Sequence, residues 1–162
     1  MRAPCQMEEI RNLGKYTLLE KLGEGCLGPV YRGFDQDLGR AVAVRIVSDA
    51  VRWDPEVEAR FHRECQSVAG LQHPNIAAIF EVGKEGPSRY IVMESLGSAT
   101  LKSLIAGKPA MAVEEKLSIM IQVADGLSHA HKNDILHYDL RPGKIHVTAG
   151  GGAKIQIGRA HV

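Results

Sequence analysis

The sequence has few of the features that mark specialised classes of protein. Of its 162 residues only 5% are aromatic, and the formal net charge is +1. A charge so close to balance gives no reason to expect nucleic acid or an anionic membrane as a partner. No run approaches eighteen consecutive apolar residues, and the N-terminus has no apolar stretch of the signal-peptide kind. These absences leave an ordinary globular domain with 44% hydrophobic residues.

Cysteine is also scarce. Cys5, Cys26 and Cys65 are odd in number, widely spaced and without a CxxC pair. This pattern argues against a disulfide framework and against a zinc site. We therefore expect a reducing, cytoplasmic location, with each cysteine packed as a small apolar side chain.

The order of hydrophobic patterns predicts an α+β fold in two parts. Three β-rich stretches from Tyr16, separated by glycine-containing turns, are followed by a helical stretch that begins at Pro55 and by two more strands. This order predicts a five-stranded sheet with one helix. After a joint near residues 94–97, two helical stretches, a loop and two short strands follow. The second of these helices, near residues 112–132, is apolar on nearly every side, which is typical of a helix inside a helical core.

The first motif is GEGCLGPV at residues 23–30. Its glycines allow backbone N–H groups to approach phosphate oxygens. The GxGxxG spacing also marks dinucleotide-binding Rossmann units, and Asp49 lies where such a unit has its ribose-binding acid. A Rossmann loop must begin a helix, however, and residues 29–40 predict strand, turn and strand. A glycine-rich hairpin that covers a nucleotide therefore fits better.

Three further motifs follow in a fixed order. Val42-Ala43-Val44-Arg45 lies on the third predicted strand, Glu64 lies in the middle of the helix, and HYDLRPGK occupies residues 137–144. With the glycine motif, this order resembles the protein kinases, whose pattern is G-x-G-x-x-G-x-V, V-A-I-K, a helix glutamate and H-R-D-L-x-x-x-N. The segments LQHPNIAAIFEVG and YIVMESL resemble bacterial Ser/Thr kinases in particular, and the resemblance extends from Tyr16 to Ile155.

The resemblance implies a protein-kinase-like fold that is only partly present. We expect an N-terminal lead-in at residues 1–14 and a partial kinase domain at residues 15–156. Within that domain, residues 15–96 would form a β-rich N-lobe and hinge, and residues 97–156 the beginning of a mainly helical C-lobe. The family reaction is transfer of the ATP γ-phosphate to a Ser or Thr hydroxyl, which implies ATP, Mg²⁺ and a protein substrate or scaffold partner.

The resemblance also implies roles for individual residues. Val30 and Ala43 would lie above the adenine, Met93 would be the gatekeeper, and the backbone of Glu94 and Leu96 would hydrogen-bond the adenine edge. The full nucleotide-binding set is Gly23, Glu24, Gly25, Gly28, Val30, Ala43, Arg45, Met93, Glu94 and Leu96. The catalytic set is Asp139, Arg45, Glu64 and Arg141. In it, Glu64 would hold the cation of the third strand, and Asp139 would accept the proton of the attacking hydroxyl.

Four positions depart from the family pattern. Arg45 replaces the lysine of the third strand, and its forked guanidinium would place the phosphates differently. Lys144 replaces the asparagine that helps to hold Mg²⁺, and an ammonium cannot bind a cation. Tyr138 replaces an arginine that pairs with a phosphorylated activation loop, and His146 lies where an apolar residue usually lies under the adenine. Arg45 and Lys144 favour a second interpretation, a pseudokinase that serves as a nucleotide-binding or scaffolding module.

The end of the chain lacks the D-F-G motif that follows in the family. Residues 157–162, IGRAHV, match the translation of a common sequencing adapter. We therefore expect these six residues to be a non-native tail. The preferred function is an ATP-binding kinase domain. The first alternative is a pseudokinase, the second is an active kinase with relocated charges, which the glycine motif, Glu64 and Asp139 permit, and a Rossmann dehydrogenase is a distant third.

Overall fold

The computed structural model describes residues 11–25, 27–47, 53–107 and 110–157. They form a sheet region with one helix, which ends at Glu94, and a smaller helical region with a short hairpin. The α+β class predicted from the sequence is confirmed. Across the described ranges, no helix is both long enough and apolar enough to span a lipid bilayer.

The main sheet has six antiparallel strands in the described residues, not the five predicted. They are β1 (Arg11–Leu13), β2 (Tyr16–Gly25), β3 (Gly28–Asp35), β4 (Arg40–Val47), β5 (Ile79–Glu85) and β6 (Ser88–Glu94). Their order across the sheet is β1-β2-β3-β4-β6-β5. The additional strand is β1, which lies inside the segment predicted as a lead-in. Gly14, with φ at 56°, forms the tight turn that pairs Leu13 with Tyr16.

The single helix of the sheet region begins where the sequence predicts. Helix α1 (Pro55–Ala69) has Asp54 as its N-cap. The Asp54 carboxylate accepts hydrogen bonds from the N–H groups of Glu56 at 3.0 Å and Val57 at 2.9 Å. These bonds satisfy two donors of the first turn, and Pro55 at the first helical position needs none.

The helical region contains the elements predicted from the sequence. They are α2 (Leu101–Gly107), α3 (Val113–Lys132), a 3₁₀ turn (Pro142–Lys144), β7 (Ile145–Val147) and β8 (Ala153–Ile155), the last two paired as a hairpin. Helix α3 buries one stripe of side chains: Ile119, Val123, Gly126 and Ala130. Its opposite face leaves Leu117, Met120 and Ile121 exposed by 56%, 52% and 67%. The apolar helix therefore has one covered face and one uncovered face.

The buried side chains form three clusters. One covers the outer face of the main sheet: Leu13, Tyr16, Leu18, Val42, Val44, Tyr90 and Val92. The second lies between the sheet and α1: Leu27, Ala43, Val47, Phe61, Cys65, Ile91 and Met93. The third joins the end of α1 to the helical region and includes Val68, Ile76, Val123 and Ile155. The packing predicted for the cysteines is confirmed at Cys65, while Cys5 and Cys26 lie outside the described residues.

The segment at residues 73–78 connects the two regions through backbone hydrogen bonds. The N–H of Ala77 donates to Ile155 O at 2.9 Å, and the N–H of Ile155 donates to Asn75 O at 2.8 Å. The Asn75 amide donates to Ala153 O at 2.8 Å. Gly126 of α3 lies so close that a Cβ there would be 3.0 Å from Asn75 O. These contacts place β8 and α3 directly beneath the sheet region.

Candidate active site

The glycine motif forms a hairpin between β2 and β3. Gly23 pairs with Val30 and Gly25 pairs with Gly28 across the two strands. No helix follows, so the strand, turn and strand predicted for residues 29–40 are confirmed and the Rossmann alternative is excluded. Gly28 has φ at 130°, a conformation that favours glycine. A Cβ on Gly23 would meet nothing within 4 Å, so this backbone faces open space that a ligand can enter.

Glu24 lies at the edge of the same hairpin. Its carboxylate forms an ion pair with Lys21 three residues before it, and the Glu24 side chain is 61% exposed. An exposed pair of this kind contributes little to stability. Its side chain therefore belongs to the rim of the hairpin, and any contribution from Glu24 to phosphate binding would come from its backbone.

The three predicted adenine neighbours belong to one apolar cluster. Ala43 on β4 and Met93 on β6 are cross-strand partners, and both are buried. Val30 is half-buried and packs against the same cluster. The Gln156 amide donates a hydrogen bond to Met93 Sδ at 3.0 Å. The structure thus brings the three predicted adenine neighbours together at one end of the sheet.

Glu94 ends β6 and begins the connection to the helical region. Its N–H donates to Ala78 O at 2.8 Å. Its carboxylate accepts from the Ala78 N–H at 3.2 Å and pairs with Lys154 Nζ at 2.6 Å. Because the N–H is already used, an adenine contact from Glu94 would have to come from its carbonyl. Leu96 lies two residues further along and is half-buried.

Arg45 is among the most deeply buried charged side chains of the described residues. It lies on β4 opposite Val30 and Ile91 and is 1% exposed. Its cross-strand neighbour Val30 lies two residues after Gly28. Arg45 therefore lies on the strand next to the glycine hairpin, and its contact with phosphate stays a prediction.

Glu64 lies on α1, where Arg60 Nε is 3.0 Å from Glu64 Oε1. Two neighbouring charges affect the pKa of the Cys65 thiol. Burial, together with the charge of Glu64, raises the pKa of Cys65 to about 12, and the charge of Arg45 opposes this shift. Both charges therefore act on the same thiol. A direct Arg45–Glu64 pair stays a prediction.

The catalytic-loop motif places Asp139 beside Arg141. The two side chains form an ion pair, with Arg141 Nη2 3.4 Å from Asp139 Oδ2. The Asp139 side chain is 29% exposed, so a substrate hydroxyl could reach it. Tyr138 has φ at 54° and is 61% exposed. This left-handed conformation is uncommon for a residue with a bulky side chain.

His137 anchors this loop from below. Its Nε2 is 3.1 Å from Gln156 O, and the Asp139 N–H donates to His137 O at 2.7 Å. Burial lowers the pKa of His137, and the charge of Lys144 lowers it further. The neutral imidazole therefore donates from Nε2 to the Gln156 carbonyl. This bond ties the catalytic loop to the strand that follows it.

Lys144 ends the 3₁₀ turn and is 8% exposed. Its N–H donates to Arg141 O at 2.8 Å, and its carbonyl accepts from the Gln156 N–H at 2.8 Å. The backbone is therefore held on both sides. Its effect on the His137 pKa places the ammonium charge within electrostatic range of the catalytic loop.

Two contacts of this site could not be found from the sequence. Lys154 binds the Glu94 carboxylate across 60 residues of chain, and Gln156 contacts Met93 across 63. His146 Nδ1 likewise lies 3.0 Å from Gly97 O. Since no local pattern marks partners so far apart, only the fold reveals that β7 and β8 contact the hinge.

Comparison with known proteins agrees with this geometry. Residues 16–156 match the family described as Protein kinase domain. The serine/threonine-protein kinase PrkC of Bacillus subtilis is 38% identical over 142 residues, 88% of this chain and 22% of the relative. A probable serine/threonine-protein kinase of Clostridium perfringens is 39% identical over 141 residues, 87% of this chain and 21% of the relative.

A solved structure shows the same architecture. The crystal structure of the PknI kinase domain of Mycobacterium tuberculosis has a TM-score of 0.77 and 28% identity. The match covers 91% of this chain and 61% of that one. The chain thus spans about a fifth of the length of the two curated relatives. The motifs lie in the order of the family, and the fold is shared with a solved kinase. The chain therefore belongs to the protein kinase domain family, and its sequence is similar to bacterial Ser/Thr kinases.

Proposed function

We propose that this chain is the ATP-binding part of a cytoplasmic Ser/Thr kinase domain. In the full-length protein, that domain would transfer the γ-phosphate of ATP to a protein hydroxyl. The observation that supports this most is the buried Arg45 opposite Val30, directly beside the glycine hairpin. A buried cation next to a glycine hairpin, where a Cβ on Gly23 would meet nothing within 4 Å, suits a polyanionic phosphate chain.

Each residue of the site has a role in this proposal. Val30, Ala43 and Met93 contact the adenine, and the hinge backbone binds its edge. Arg45 binds the phosphates with its charge. Asp139 orients the attacking hydroxyl and accepts its proton, and Arg141 holds the Asp139 carboxylate in place. ATP, when bound, supplies the phosphoryl group that is transferred.

Magnesium does not fit the described residues in the same way. In the ranges that the structure describes, no group of three His, Cys, Asp or Glu side chains could hold a metal ion. Lys144 occupies the position of a family metal ligand, and its ammonium would repel the cation. We therefore assign Lys144 the role of neutralising phosphate charge directly.

The same two substitutions favour a second function. With Arg45 for lysine and Lys144 for asparagine, the protein could bind nucleotide without transferring phosphate and act as a scaffold for a protein partner. A displacement of about 1 Å in the phosphates can reduce a rate on the order of a hundredfold. The forked guanidinium of Arg45 would cause a displacement of that kind.

Calorimetry with ATP tests the binding role. We expect ATP to bind in the presence and in the absence of Mg²⁺, with little difference between the two affinities, because Lys144 supplies the positive charge. The Lys144→Asn variant should regain a steep dependence on Mg²⁺. A strong gain on adding Mg²⁺ to the unaltered protein would show that Lys144 does not replace the metal.

Phosphotransfer in the full-length gene product separates the two functions. The double variant Arg45→Lys, Lys144→Asn should raise the rate of phosphate transfer to a protein substrate if catalysis is present. Adding Asp139→Asn to that variant should abolish the gain, because the base is removed. A folded, nucleotide-bound double variant with an unchanged rate would support the scaffold function.

A further inference from the structure

The N-terminal half of α1 is attached to the β5–β6 hairpin through Arg89. Its Nη2 lies 2.9 Å from Glu58 Oε1, and Lys84 Nζ lies 3.6 Å from the same oxygen. Lys84 and Arg89 are cross-strand partners, so both cations approach the helix from one side. The hydrogen bond from Arg89 lowers the pKa of Glu58, which keeps the carboxylate charged. The helix is therefore attached to the hairpin by an ionic contact.

Arg89 is also held against an aromatic face. Its guanidinium carbon lies 4.0 Å from the centre of the Trp53 ring, and its side chain is 9% exposed. The Trp53 ring in turn meets Phe61 edge to face, at 5.2 Å and 83°. Phe61 is 1% exposed and lies on α1 under the main sheet. Arg89 thus contacts α1 directly at Glu58, and it also contacts Trp53, which precedes the helix and packs on Phe61.

The position of α1 determines the position of Glu64. Glu58 and Glu64 are six residues apart, or roughly 9 Å along a helix axis at 1.5 Å per residue. A hydrogen-bonded helix moves as a unit over that length. The far end of α1 is held separately, by Val68 in the cluster that it shares with the helical region. Phe61 and Cys65 hold the middle of α1 against the sheet. Without the attachment at Glu58, the helix could tilt as a unit about that contact and shift Glu64.

We propose that Arg89 is a positioning residue of the nucleotide site, acting through α1 on the placement of Glu64 relative to Arg45. This inference rests on the proposed nucleotide-binding function and adds the element that sets its geometry. Arg89 touches neither nucleotide nor substrate in this account. Cys65 on α1 and Ala43 on β4 belong to one buried cluster, so a tilt of α1 moves Glu64 relative to the strand that carries Arg45.

The Arg89→Met variant tests the proposal in the full-length gene product. Methionine keeps the apolar contact with Trp53 and removes the charge that binds Glu58. We expect about a tenth of the variant molecules to hold α1 in the binding position. The apparent dissociation constant for ATP should then rise about tenfold. The matched control is Arg32→Met, because Arg32 forms its ion pair with Glu20 of β2, at 3.1 Å, in the same region. The control should bind ATP as the unaltered protein does.

A spectroscopic signature separates positioning from simple stabilisation. Trp53 lies against Arg89, and its emission is isolated by subtracting the spectrum of a Trp53→Phe variant. In the unaltered protein, saturating ATP should leave the Trp53 emission unchanged, because α1 is already in place. In Arg89→Met, ATP should shift the emission as binding draws α1 towards the sheet. The charge-reversed pair Glu58→Arg, Arg89→Glu should restore the affinity to within about twofold, in line with the coupling expected of a directly contacting ion pair.

The outcomes are distinct. If the unaltered protein does not bind ATP, the proposed function itself is wrong. A folded Arg89→Met variant with unchanged ATP affinity and an emission insensitive to ATP would overturn the positioning role alone. If Arg89→Met does not fold, Glu58→Gln removes the same ion pair while keeping Arg89 on Trp53, and the same two readouts decide.

Discussion

The sheet region covers both faces of its main sheet, whereas the helical region covers only one face of its longest helix. In the sheet region, one cluster contains Val42 and Val44 on the outer face, and another contains Phe61 and Cys65 under the inner face. In the helical region, the single cluster takes part of its members from residues 68–76. The outer face of α3 has no such cover in the described residues. The sheet region thus encloses its own core, and the helical region depends on surfaces outside itself.

The largest expected effect is self-association of the 162-residue chain. Leu117, Met120 and Ile121 lie on the uncovered face of α3. At about 25 cal/mol per Å², each 100 Å² of apolar surface left in water forfeits about 2.5 kcal/mol of hydrophobic stabilisation, which association partly recovers. We therefore expect an associated or partly molten sample in sizing chromatography and calorimetry. A monomer that melts cooperatively would contradict the claim that the helical region depends on surfaces outside itself.

Surface substitutions sharpen that test. The double variant Leu117→Lys, Ile121→Lys should shift the chain towards the monomer in sizing chromatography, since it removes the apolar patch. The control is Leu38→Lys, at a leucine that is 63% exposed in the turn between β3 and β4. Equal effects from the patch and from this isolated leucine would show that the α3 face is not the cause.

The next effect concerns the core of the sheet region. Phe61→Ala should lower the free energy of unfolding by about 3–5 kcal/mol, because a fully buried aromatic ring is lost. Leu117→Ala should change it by less than about 0.5 kcal/mol, because that side chain is already in water. Urea titrations of dilute samples, followed by circular dichroism, measure both. Similar losses at the two positions would contradict the difference between the regions.

A glycine on β5 gives a smaller effect. A Cβ on Gly83 would collide with the Tyr90 ring, whose hydroxyl donates to Glu81 at 3.1 Å. Gly83→Ala should therefore displace the ring and cost about 1–3 kcal/mol in unfolding free energy. Gly150→Ala, in the turn of the β7–β8 hairpin, should have little effect, since nothing lies within 4 Å of the added carbon. Thermal melts of the two variants compare them directly.

The smallest effect is a dependence of stability on pH. Burial lowers the pKa of His137 below 6.5, its ordinary value. The unfolded chain therefore takes up a proton at a higher pH than the folded chain. This contribution is fully present above about pH 6.5 and is lost as the pH falls, by at most about 1.4 kcal/mol per pH unit. Urea titrations on either side of that value, at about pH 7.5 and about pH 5.5, measure it, and His137→Phe should remove it. If the His137→Phe variant loses the same unfolding free energy between the two pH values, His137 is not the source of the pH dependence.

Local patterns were sufficient for most of the elements. Helix α1 begins at Pro55 because Asp54, Pro55 and the first-turn glutamates lie next to one another in sequence, and such signals act within one turn. The strands from Tyr16 to Val47 were predicted from β-branched residues and glycine turns. The strand β1 was missed because three residues are too few to show a period. Its formation depends on pairing with β2.

Local patterns did not predict the contacts of the site. The motifs indicated which residues belong to the site, and the fold brings Val30, Ala43 and Met93 together as expected. The partners of Glu94 and Glu58 were not predicted, since Lys154 and Arg89 lie far from them in sequence. Ion pairs of this kind have no period and no spacing. They form only when packing of the apolar clusters has placed the strands and helices.

The sequence by itself determined the α+β class, the glycine hairpin, the order of the kinase motifs and the substitutions at Arg45 and Lys144, because these depend on residue type and on local spacing. Tertiary structure alone decided that Arg45 is buried, that β8 contacts the hinge through Lys154, and that Arg89 attaches α1 to the β5–β6 hairpin. The physical reason is range: backbone preferences and caps act over a few residues, whereas burial and ion pairs depend on which distant segments the core brings into contact.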